Sequence, residues 1–489
     1  MQDEARYGEV VREMLAGGNW LVPHLDGMPY PDKPALYFWI VAAVGSIVGQ
    51  GEGAFRLVST LSVLLAGVGV YQLGRVIHGR QGGYWASILF GSALLTLVVG
   101  QIARMDMLLA ATTAFAWFCL QRFDAEQGRR WLTGFWVLCA LSLAIKGPIA
   151  LLFTLVPGLL WMMVKRGFPG LVSLRPLLGL LTLVGMVLAW IAAVYLDGQV
   201  DYLSTIWHEQ LVGRTVNSWS HKEPVYFYIL LLPVVIMPWI GPILQGLSSM
   251  IRERASGWEA VAIFAVLPLI GISLISGKLF IYLEPLVPAL CVAGAMAAQR
   301  INGESRVSAW STWPPAVFLV VLGAGLVWAS NKHLGAAAAQ GVWIGIGLVV
   351  LGIASAIAGR LSGKRWLYAS TGIAVVTSWL LLGGMSSVLN PFFSARALGE
   401  SVARHAPVAR PVGLINATRG ILNYYAGRTF TEVSLGEAAA WHAAHPDAVL
   451  IIKTRDLASA FGESGVPDSC RVHEIYSVEF KQYHVVADC

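Results

Sequence analysis

The charged residues near the start of the chain are the ones whose types and spacing could do chemistry. Asp3 and Glu4 are followed by Arg6 and Tyr7, and a short polar stretch then leads to Asp32-Lys33-Pro34. A carboxylate can act as a general base, and a lysine can bind an anionic leaving group. Long apolar runs follow, and charge at the mouth of a membrane bundle is costly unless it serves a purpose. These residues therefore predict a reactive polar loop at a membrane surface.

The composition predicts a membrane protein before any motif is considered. Hydrophobic residues make up 56% of the chain and charged residues 13%, and the mean hydropathy is +0.64. These values are too apolar for a soluble globular chain. The net charge of +6 is attributed to basic cytoplasmic loops, so no nucleic-acid partner is expected. Cys119, Cys139 and Cys291 fall in apolar runs and are expected to be inert.

Apolar runs long enough to cross a bilayer recur twelve times, which predicts an all-α polytopic bundle over 55–390. The pair of runs that flanks Lys146-Gly147 is short. The runs lie near 55–78, 82–100, 105–121, 131–145, 148–164, 173–195, 224–247, 257–275, 279–298, 314–330, 341–358 and 366–389.

Two further regions flank this bundle. Residues 1–54 are interpreted as a first outer loop with juxtamembrane helices, which carries the candidate catalytic groups. Residues 391–489 are mixed polar and predict a small α/β domain outside the membrane, with a helix near 394–405 and strands near 411–416, 448–453 and 472–486. Cys470 and Cys489 bracket the last strand region and form either a disulfide or two thiols.

The loops between the runs alternate in basic content, which predicts the side of the membrane on which each lies. Six alternate loops hold fifteen Lys and Arg residues, whereas the other loops hold only Arg104, Lys146, Arg214, Lys222, Lys278 and Lys332. Because Lys and Arg concentrate in cytoplasmic loops, the first set is predicted to face the cytoplasm. Both chain ends and Asp106 would then lie on the opposite side.

The acidic start of the chain leaves two topologies open, because no span precedes it that could carry it across the membrane. Either a transmembrane helix lies upstream of this sequence, or segment 35–49 itself spans. The second arrangement would leave residues 1–34 cytoplasmic and separate them from Asp106 and His221. Segment 35–49 is short and glycine-containing, which favours a juxtamembrane helix, so the upstream helix is expected.

An ordered series of motifs resembles the aminoarabinose (polymyxin-resistance) transferases. These belong to the protein-mannosyltransferase-like GT-C class of polyprenyl-phosphate glycosyltransferases, and the resemblance implies thirteen helices, the twelve runs plus one upstream. It is strongest in the N-terminal loop and fades after about residue 300. The motifs are Asp3-Glu4-Ala5-Arg6-Tyr7, Glu13-Met14, 20–25, Asp26-Gly27, 30–34, Arg104-Met105-Asp106, Lys146-Gly147, His221 before Pro224, Tyr226-Phe227-Tyr228, and Ser276-Gly277-Lys278 with Tyr282 and Pro285.

The resemblance implies a function and a place for it. A sugar would pass from undecaprenyl phosphate, with inversion, to a cell-envelope acceptor: lipid A, another glycolipid, a polysaccharide or a protein. The reaction would occur on the extracytoplasmic face of the bacterial inner membrane. Asp3 matches the family's catalytic aspartate and would be the general base, with Glu4 and Arg6 among the substrate-binding residues.

The roles of the remaining polar residues leave alternatives open. Asp106 is either a second catalytic carboxylate or an ion-pair or helix-cap residue. The lysines suit a lipid-phosphate headgroup, although terminal lysines also snorkel, and the tyrosines either orient sugar and phosphate or form an aromatic belt. For Asp32 and His221 two roles are open. Either the two residues hold a divalent metal ion, or His221 only makes hydrogen bonds. The lysines are Lys33, Lys146 and Lys278, and the tyrosines are Tyr7, Tyr30 and Tyr282.

Two other functions compete with a transferase. A transporter or lipid flippase needs ionisable residues in mid-span and pseudo-symmetric halves. Neither feature is recognised in the sequence, and most spans are clean Leu, Val, Ala and Gly. A non-catalytic membrane scaffold that presents residues 391–489 would leave the acidic N-terminal loop unexplained. The transferase is therefore the leading hypothesis.

Overall fold

The computed structural model divides the chain into two compact units. Unit 1 comprises residues 1–30, 38–55 and 386–489, and unit 2 comprises residues 31–37 and 56–385. The residues that the structure describes are 2–49, 51–206, 223–333, 338–384, 386, 388, 390, 394–406, 410–416, 420–461, 471–478 and 481–487. His221, Cys470 and Cys489 lie outside them, so the expectations on these residues stay predictions.

Unit 2 is helical, because its long apolar runs can satisfy their backbone groups within a membrane only as helices. Each of the twelve predicted runs overlaps one or more helices among the described residues. The helices are α3 (Glu52–Gly91), α4 (Leu94–Val99), α5 (Asp106–Glu126), α6 (Arg129–Lys146), α7 (Leu155–Ser173), α8 (Pro176–Leu196) and α9 (Val200–Thr205), then Phe227–Val235, Ile240–Glu253, Trp258–Leu274, Val287–Gly303, Ala309–His333, Ala338–Ala358 and Gly363–Trp379.

Glycines fold α3 back on itself, which separates the first two predicted runs. The backbone at Gly79 is not helical, with φ 77° and ψ −177°. A Cβ added at Gly83 would lie 2.5 Å from the carbonyl oxygen of Tyr71, twelve residues earlier in the sequence. Residues that far apart meet only if the chain reverses, since a straight helix would hold them about 18 Å apart. The break therefore confirms the predicted boundary near residues 78–82.

By length and composition, seven described helices can cross a membrane, which makes the chain a multi-pass membrane protein. The number is eight if the bent pair Phe227–Val235 and Ile240–Glu253, which turns by 110°, is one span. The predicted number of about twelve is therefore not reached by this criterion. Two of the helices that fall short, α5 and α6, carry charges within their bounds.

Unit 1 joins the start of the chain to its end in one fold. It contains α1 (Gln2–Gly17), the hairpin of β1 (His24–Leu25) and β2 (Met28–Pro29), and most of α2 (Leu36–Val48). The first two residues of α2 belong to unit 2. The C-terminal part holds the helices Arg396–His405, Asn423–Ala426, Ala438–Ala444 and Leu457–Phe461. Ala5 of α1 shares a buried cluster with Leu398 and Val402 of the helix Arg396–His405, so the two chain ends have a common core.

The C-terminal part of unit 1 is built on a five-stranded mixed sheet. Its order is β4-β3-β5-β7-β6, with β3 parallel to both β4 and β5 and the other pairs antiparallel. Every residue of β3 and β5 is buried, as expected for central parallel strands covered on both faces. The strands are β3 (Val412–Ile415), β4 (Thr431–Val433), β5 (Val449–Lys453), β6 (Arg471–Val478) and β7 (Lys481–Ala487).

The predicted helix and strands of this C-terminal region are confirmed with one correction. The helix near 394–405 and the strands near 411–416 and 448–453 match Arg396–His405, β3 and β5. The run 472–486, predicted as one strand region, is a pair of antiparallel strands, with Val478 opposite Lys481. Alternating side chains cannot by themselves reveal the reversal, because both strands continue the same period.

Candidate functional site

Two charged side chains in unit 2 meet because their helices run in opposite directions. Asp106 is the first residue of α5, and Lys146 is the last residue of α6. The helix dipole favours an acid at a helix start and a cation at a helix end. Lys146 Nζ donates to Asp106 Oδ1, which is the ion pair considered as an alternative for Asp106. The sequence places these residues 40 positions apart, and the α5–α6 hairpin brings them together.

This pair is buried, and an aromatic ring completes its surroundings. Asp106 is 2% exposed and Lys146 is 9% exposed. Lys146 Nζ lies 4.2 Å from the ring centroid of Tyr282, which stands on the 3-10 segment Phe280–Leu286. A cation over a ring face is attracted electrostatically, and the attraction grows when water is excluded. The structure therefore brings together three predicted site residues in a low-dielectric cluster, called here the bundle cluster: Asp106, Lys146 and Tyr282.

The Asp32-Lys33-Pro34 segment belongs to the same unit and passes the end of α6. A Cβ added at Gly147 would lie 3.9 Å from Pro34 Cγ. Gly147 has φ 78°, a conformation that glycine adopts readily, so the backbone turns sharply directly after Lys146. Asp32 and Lys33 are both half-buried. Burial, with the charge of Asp32 acting in the same direction, raises the pKa of the Tyr202 phenol.

Lys278 is placed differently from Lys146. Its side chain is 3% exposed, and Nζ donates to the carbonyl oxygens of Ile275 at 2.6 Å and Glu223 at 2.8 Å. Ile275 directly follows the helix Trp258–Leu274, so the ammonium group satisfies a carbonyl that the helix end leaves open. In this structure Lys278 closes a helix end, and its role towards a substrate stays a prediction.

The predicted residues of the first loop lie in unit 1. Asp3 lies on α1, but its side chain falls outside the described residues, while Glu4 and Arg6 are half-buried on the same helix. Tyr7 is 1% exposed and packs edge-on against Phe38 with ring centroids 5.5 Å apart. Tyr30 also meets Phe38, at 6.3 Å.

A second acid–base pair, which the sequence analysis missed, lies on α1. Arg12 holds Glu9 with two hydrogen bonds, from Nε to Oε2 at 2.8 Å and from Nη2 to Oε1 at 2.6 Å. Glu9 is fully buried, and this burial raises its pKa from the ordinary 4.5 to about 7, although Arg12 opposes the shift. The spacing of three residues could have revealed the pair, since such residues are neighbours on a helix surface.

Carboxylates also tie the loop after α1 to the C-terminal part of unit 1. Glu13 Oε1 accepts a hydrogen bond from the backbone N–H of Asp26 at 2.6 Å. Asp26 Oδ1 in turn accepts from Asn423 Nδ2 at 2.7 Å and from the N–H of Phe430 at 3.2 Å. Glu13 and Asp26 both belong to the family-like motifs, and in the structure their carboxylates accept hydrogen bonds that fix the loop after α1.

A polar cleft of about 380 Å³ lies in unit 1. Tyr425 Oη donates to Glu52 Oε1 at 3.1 Å, and Arg396 Nε donates to Glu400 Oε1 at 3.0 Å. Each of the two carboxylates of the lining therefore accepts a hydrogen bond from another lining side chain. The sequence analysis did not find this cleft, since its parts come from four separate segments. They are Arg12, Gly51, Glu52, Arg396, Glu400, Tyr424 and Tyr425.

A buried carboxyl in unit 2 was missed as well. The spans were expected to be free of ionisable residues, yet Glu284, within the candidate span Phe280–Gly303, is 0% exposed. Thr96 Oγ1 donates to its Oε1 at 2.9 Å. The signal was available in the sequence, because an ionisable residue inside an apolar run is itself unusual.

The predicted metal site cannot be assembled from the described residues. Within the parts of the chain given above, no group of three or more His, Cys, Asp or Glu side chains could hold a metal ion. Asp32 is described and His221 is not. Because His221 lies outside the described residues, the metal site stays a prediction, and no chemical step is assigned to a metal. The three described cysteines, Cys119, Cys139 and Cys291, are buried and free.

Comparison with known protein families gives one match. Residues 32–195 match the family described as dolichyl-phosphate-mannose-protein mannosyltransferase. Among curated proteins, undecaprenyl phosphate-alpha-4-amino-4-deoxy-L-arabinose arabinosyl transferase 2 of Proteus mirabilis is 25% identical over 478 residues. This alignment covers 93% of the chain and 82% of that protein. The corresponding transferase of Edwardsiella ictaluri is 29% identical over 317 residues, which are 62% of the chain and 56% of the relative.

Solved structures share the fold at lower identity. ArnT from Cupriavidus metallidurans in the apo state superposes with a TM-score of 0.79 and 19% identity, covering 99% of this chain and 93% of that one. The same protein bound to undecaprenyl phosphate gives 0.78 with the same coverage. At this identity the likeness shows the fold, which is thus similar along nearly the whole chain.

Proposed function

This chain belongs to the aminoarabinose-transferase-like branch of the GT-C glycosyltransferases, and from this membership we propose that it transfers a sugar from undecaprenyl phosphate to a cell-envelope acceptor. The bundle cluster is the observation that carries the proposal. It places a buried lysine beside a carboxylate and a tyrosine at one end of the α5–α6 hairpin. A buried cation of this kind suits an anionic phosphate that leaves during the reaction.

The proposed reaction needs a base for the acceptor and a cation for the leaving phosphate. Asp3 takes the proton of the acceptor hydroxyl or phosphate, and the acceptor oxygen forms a bond with the anomeric carbon of the sugar. The bond from that carbon to the phosphate oxygen breaks, and undecaprenyl phosphate leaves with the electron pair. Attack from the face opposite the leaving group inverts the anomeric configuration.

The lysines and the remaining predicted residues are assigned to substrate binding. Lys146 is released in part from Asp106 as the phosphate develops charge, and Lys33, on the segment that passes the end of α6, adds a second cation. Tyr282 orients the phosphate from the ring that already covers Lys146. The other predicted binding residues are Glu4, Arg6, Tyr7, Tyr30 and Lys278.

Asp106 is proposed as the second carboxylate of the site. Its ion pair sets the position of the Lys146 ammonium group and keeps that charge from being buried alone. A divalent ion held by Asp32 and His221 stays a separate proposal, without a step in the reaction. Loss of turnover in a chelator, with recovery on adding back Mg²⁺ or Mn²⁺, would support it, and unchanged turnover would refute it.

The topology that this function requires is also a proposal. All twelve apolar helices cross the bacterial inner membrane, and residues 1–54 and 391–489 lie on its extracytoplasmic side, flanking the bundle 55–390. The alternation of basic loops supports this orientation. A reporter fused after residue 30 of the full-length protein should be active outside the cytoplasm, whereas cytoplasmic activity would overturn the arrangement.

The test of the proposed function is donor turnover in membranes. The full-length protein is supplied with labelled undecaprenyl-phosphate sugars, namely aminoarabinose, mannose and glucose, and release of the lipid phosphate is followed for wild type and Asp3→Asn. Wild type is expected to turn over one donor, and Asp3→Asn to lose about 100-fold or more of that rate. A folded, inserted wild type that turns over none of them would refute the transferase and favour a transporter.

A further inference from the structure

Glu284 is a buried acid that the proposed reaction does not use. It lies on the 3-10 segment Phe280–Leu286, at the start of the candidate span Phe280–Gly303, and is 0% exposed. Ionisable residues within membrane spans are costly and are therefore kept where they serve a purpose. The purpose of this one has to be sought among its neighbours in unit 2.

The contacts of Glu284 favour a neutral carboxylic acid. Thr96 Oγ1, itself fully buried on α4, donates to Glu284 Oε1 at 2.9 Å. Within the described residues, Oε2 is buried without a hydrogen-bond partner, and no salt bridge joins a cation to this side chain. An ionised carboxylate in such a place would be charged, desolvated and uncompensated, so the protonated form is the one that fits.

The segment that carries Glu284 also carries Tyr282, two residues earlier. The Tyr282 ring lies over Lys146 Nζ at 4.2 Å, and Lys146 is paired with Asp106. A 3-10 segment has poorer hydrogen-bond geometry than an α-helix and gains more from side-chain ties. The bond from Thr96 joins this segment to α4, and therefore fixes the turn from which Tyr282 projects.

We infer that Glu284 is a positioning residue of the bundle cluster: as a hydrogen-bonded neutral acid it anchors the segment Phe280–Leu286 to α4 through Thr96, and so holds the Tyr282 ring over Lys146. The inference rests on the proposed transferase function, which gives Lys146 and Tyr282 their donor-binding roles. It requires the shape and hydrogen bonding of Glu284, and it does not require its negative charge.

The experiment compares four variants of the full-length protein in detergent, using two measurements. The variants are Glu284→Gln, Glu284→Leu, Thr96→Val and Glu284→Leu/Thr96→Val. The first measurement is ¹⁹F NMR of protein labelled with 3-fluorotyrosine, in which Tyr282→Phe identifies the Tyr282 resonance. The second is kcat and KM for release of lipid phosphate from the undecaprenyl-phosphate sugar that wild type turns over.

The inference predicts a separation between the conservative variant and the others. Glu284→Gln should keep the Tyr282 resonance in place, with kcat and KM within about threefold of wild type. Glu284→Leu and Thr96→Val should each move the resonance and raise the donor KM about tenfold, as expected when one buried hydrogen bond is lost. The double variant should be no worse than either single variant, because both remove the same tie.

A matched control tests whether any lost buried hydroxyl bond has the same effect. Ser92 Oγ accepts a hydrogen bond from Trp239 Nε1 at 3.0 Å, just before α4, so Ser92→Ala removes a buried bond without touching Phe280–Leu286. It should leave the Tyr282 resonance unchanged. The inference is wrong if Glu284→Leu leaves that resonance unmoved, or if Glu284→Gln is as impaired as Glu284→Leu. The Tyr282 resonance tests the positioning role of Glu284 even if no donor is turned over. Absence of turnover would refute only the proposed transferase function.

Discussion

Two acid–base pairs among the described residues, each with a buried acid, differ in what they join. Glu9 and Arg12 lie three residues apart on one helix, and the guanidinium group uses two donors on one carboxylate. Asp106 and Lys146 come from two helices, and the ammonium group makes one bond to the acid while a ring covers it. A flexible ammonium group with a partner on another helix can be redirected to a substrate, whereas a bidentate local pair is already complete. Under the proposed function, the comparison separates a pair that keeps bonding capacity for a substrate from a pair that does not.

The largest effect is expected from breaking the bundle pair on one side. Asp106→Ala leaves the Lys146 ammonium group buried without its counter-ion, which costs about 3–5 kcal/mol. We expect the thermal midpoint of the purified protein to fall strongly and its yield in membranes to drop. A midpoint equal to that of wild type would mean that Lys146 finds another partner, and that the pair does not have the importance assigned to it.

Removing both charges sharpens the comparison between stability and function. Asp106→Asn combined with Lys146→Met replaces the pair by neutral groups of similar shape, which is often neutral or stabilising for a buried ion pair. We expect the double variant to recover the thermal midpoint that Asp106→Ala loses while donor turnover stays lost. Recovery of turnover together with stability would assign the pair a purely structural role.

The Glu9–Arg12 pair should instead affect how the stability of the fold depends on pH. The pKa of Glu9 is about 7 in the folded chain and about 4.5 when unfolded, so the folded state binds this proton more tightly between these values. Stability should therefore fall as the pH rises from about 4.5 to about 7, by up to about 3 kcal/mol. Thermal midpoints measured across this range should show a weaker decrease for Glu9→Gln, and an equal decrease would show that Glu9 is not its source.

The smallest effect comes from the packing that surrounds the α1 pair. A Cβ added at Gly8 would lie 2.7 Å from the Tyr424 ring, so Gly8→Ala should overpack this contact at a cost of about 1–3 kcal/mol. Gly436→Ala is the control in the same unit, because nothing lies within 4 Å of its added Cβ. Chemical denaturation should separate the two variants. Equal midpoints would show that the ring moves aside without cost.

Sequence reasoning succeeded where the information is local. Each hydrophobic run overlaps helix in the described part of the chain. The family-like motifs include Asp106, Lys146 and Tyr282, which meet in the structure, while their roles towards a substrate stay predictions. The predicted number of about twelve crossings is not reached by length and composition, because charged helix ends such as those of α5 and α6 lower the hydropathy of their spans.

The rest could not be found because it depends on distant segments. The hydrogen bond between Asp26 and Asn423 joins residues 397 positions apart, and no periodicity in either segment predicts it. Tyr7 and Tyr30 were expected at a substrate or in an aromatic belt, and the structure packs both rings against Phe38. Only the tertiary fold shows that Glu284 has a single hydroxyl partner on α4.

The most direct test of this account measures donor turnover for two matched variants, each of which removes the cation that pairs with a buried acid. Release of undecaprenyl phosphate is followed in the same membranes for wild type, Lys146→Met and Arg12→Met, with rates corrected for the amount of folded protein. The account predicts that Lys146→Met loses about 100-fold or more of the rate, as expected for loss of a charge that stabilises the leaving phosphate. It predicts that Arg12→Met keeps its rate within about threefold, as expected for a group with no role in the transition state. The reverse result, or equal losses in both variants, would contradict it.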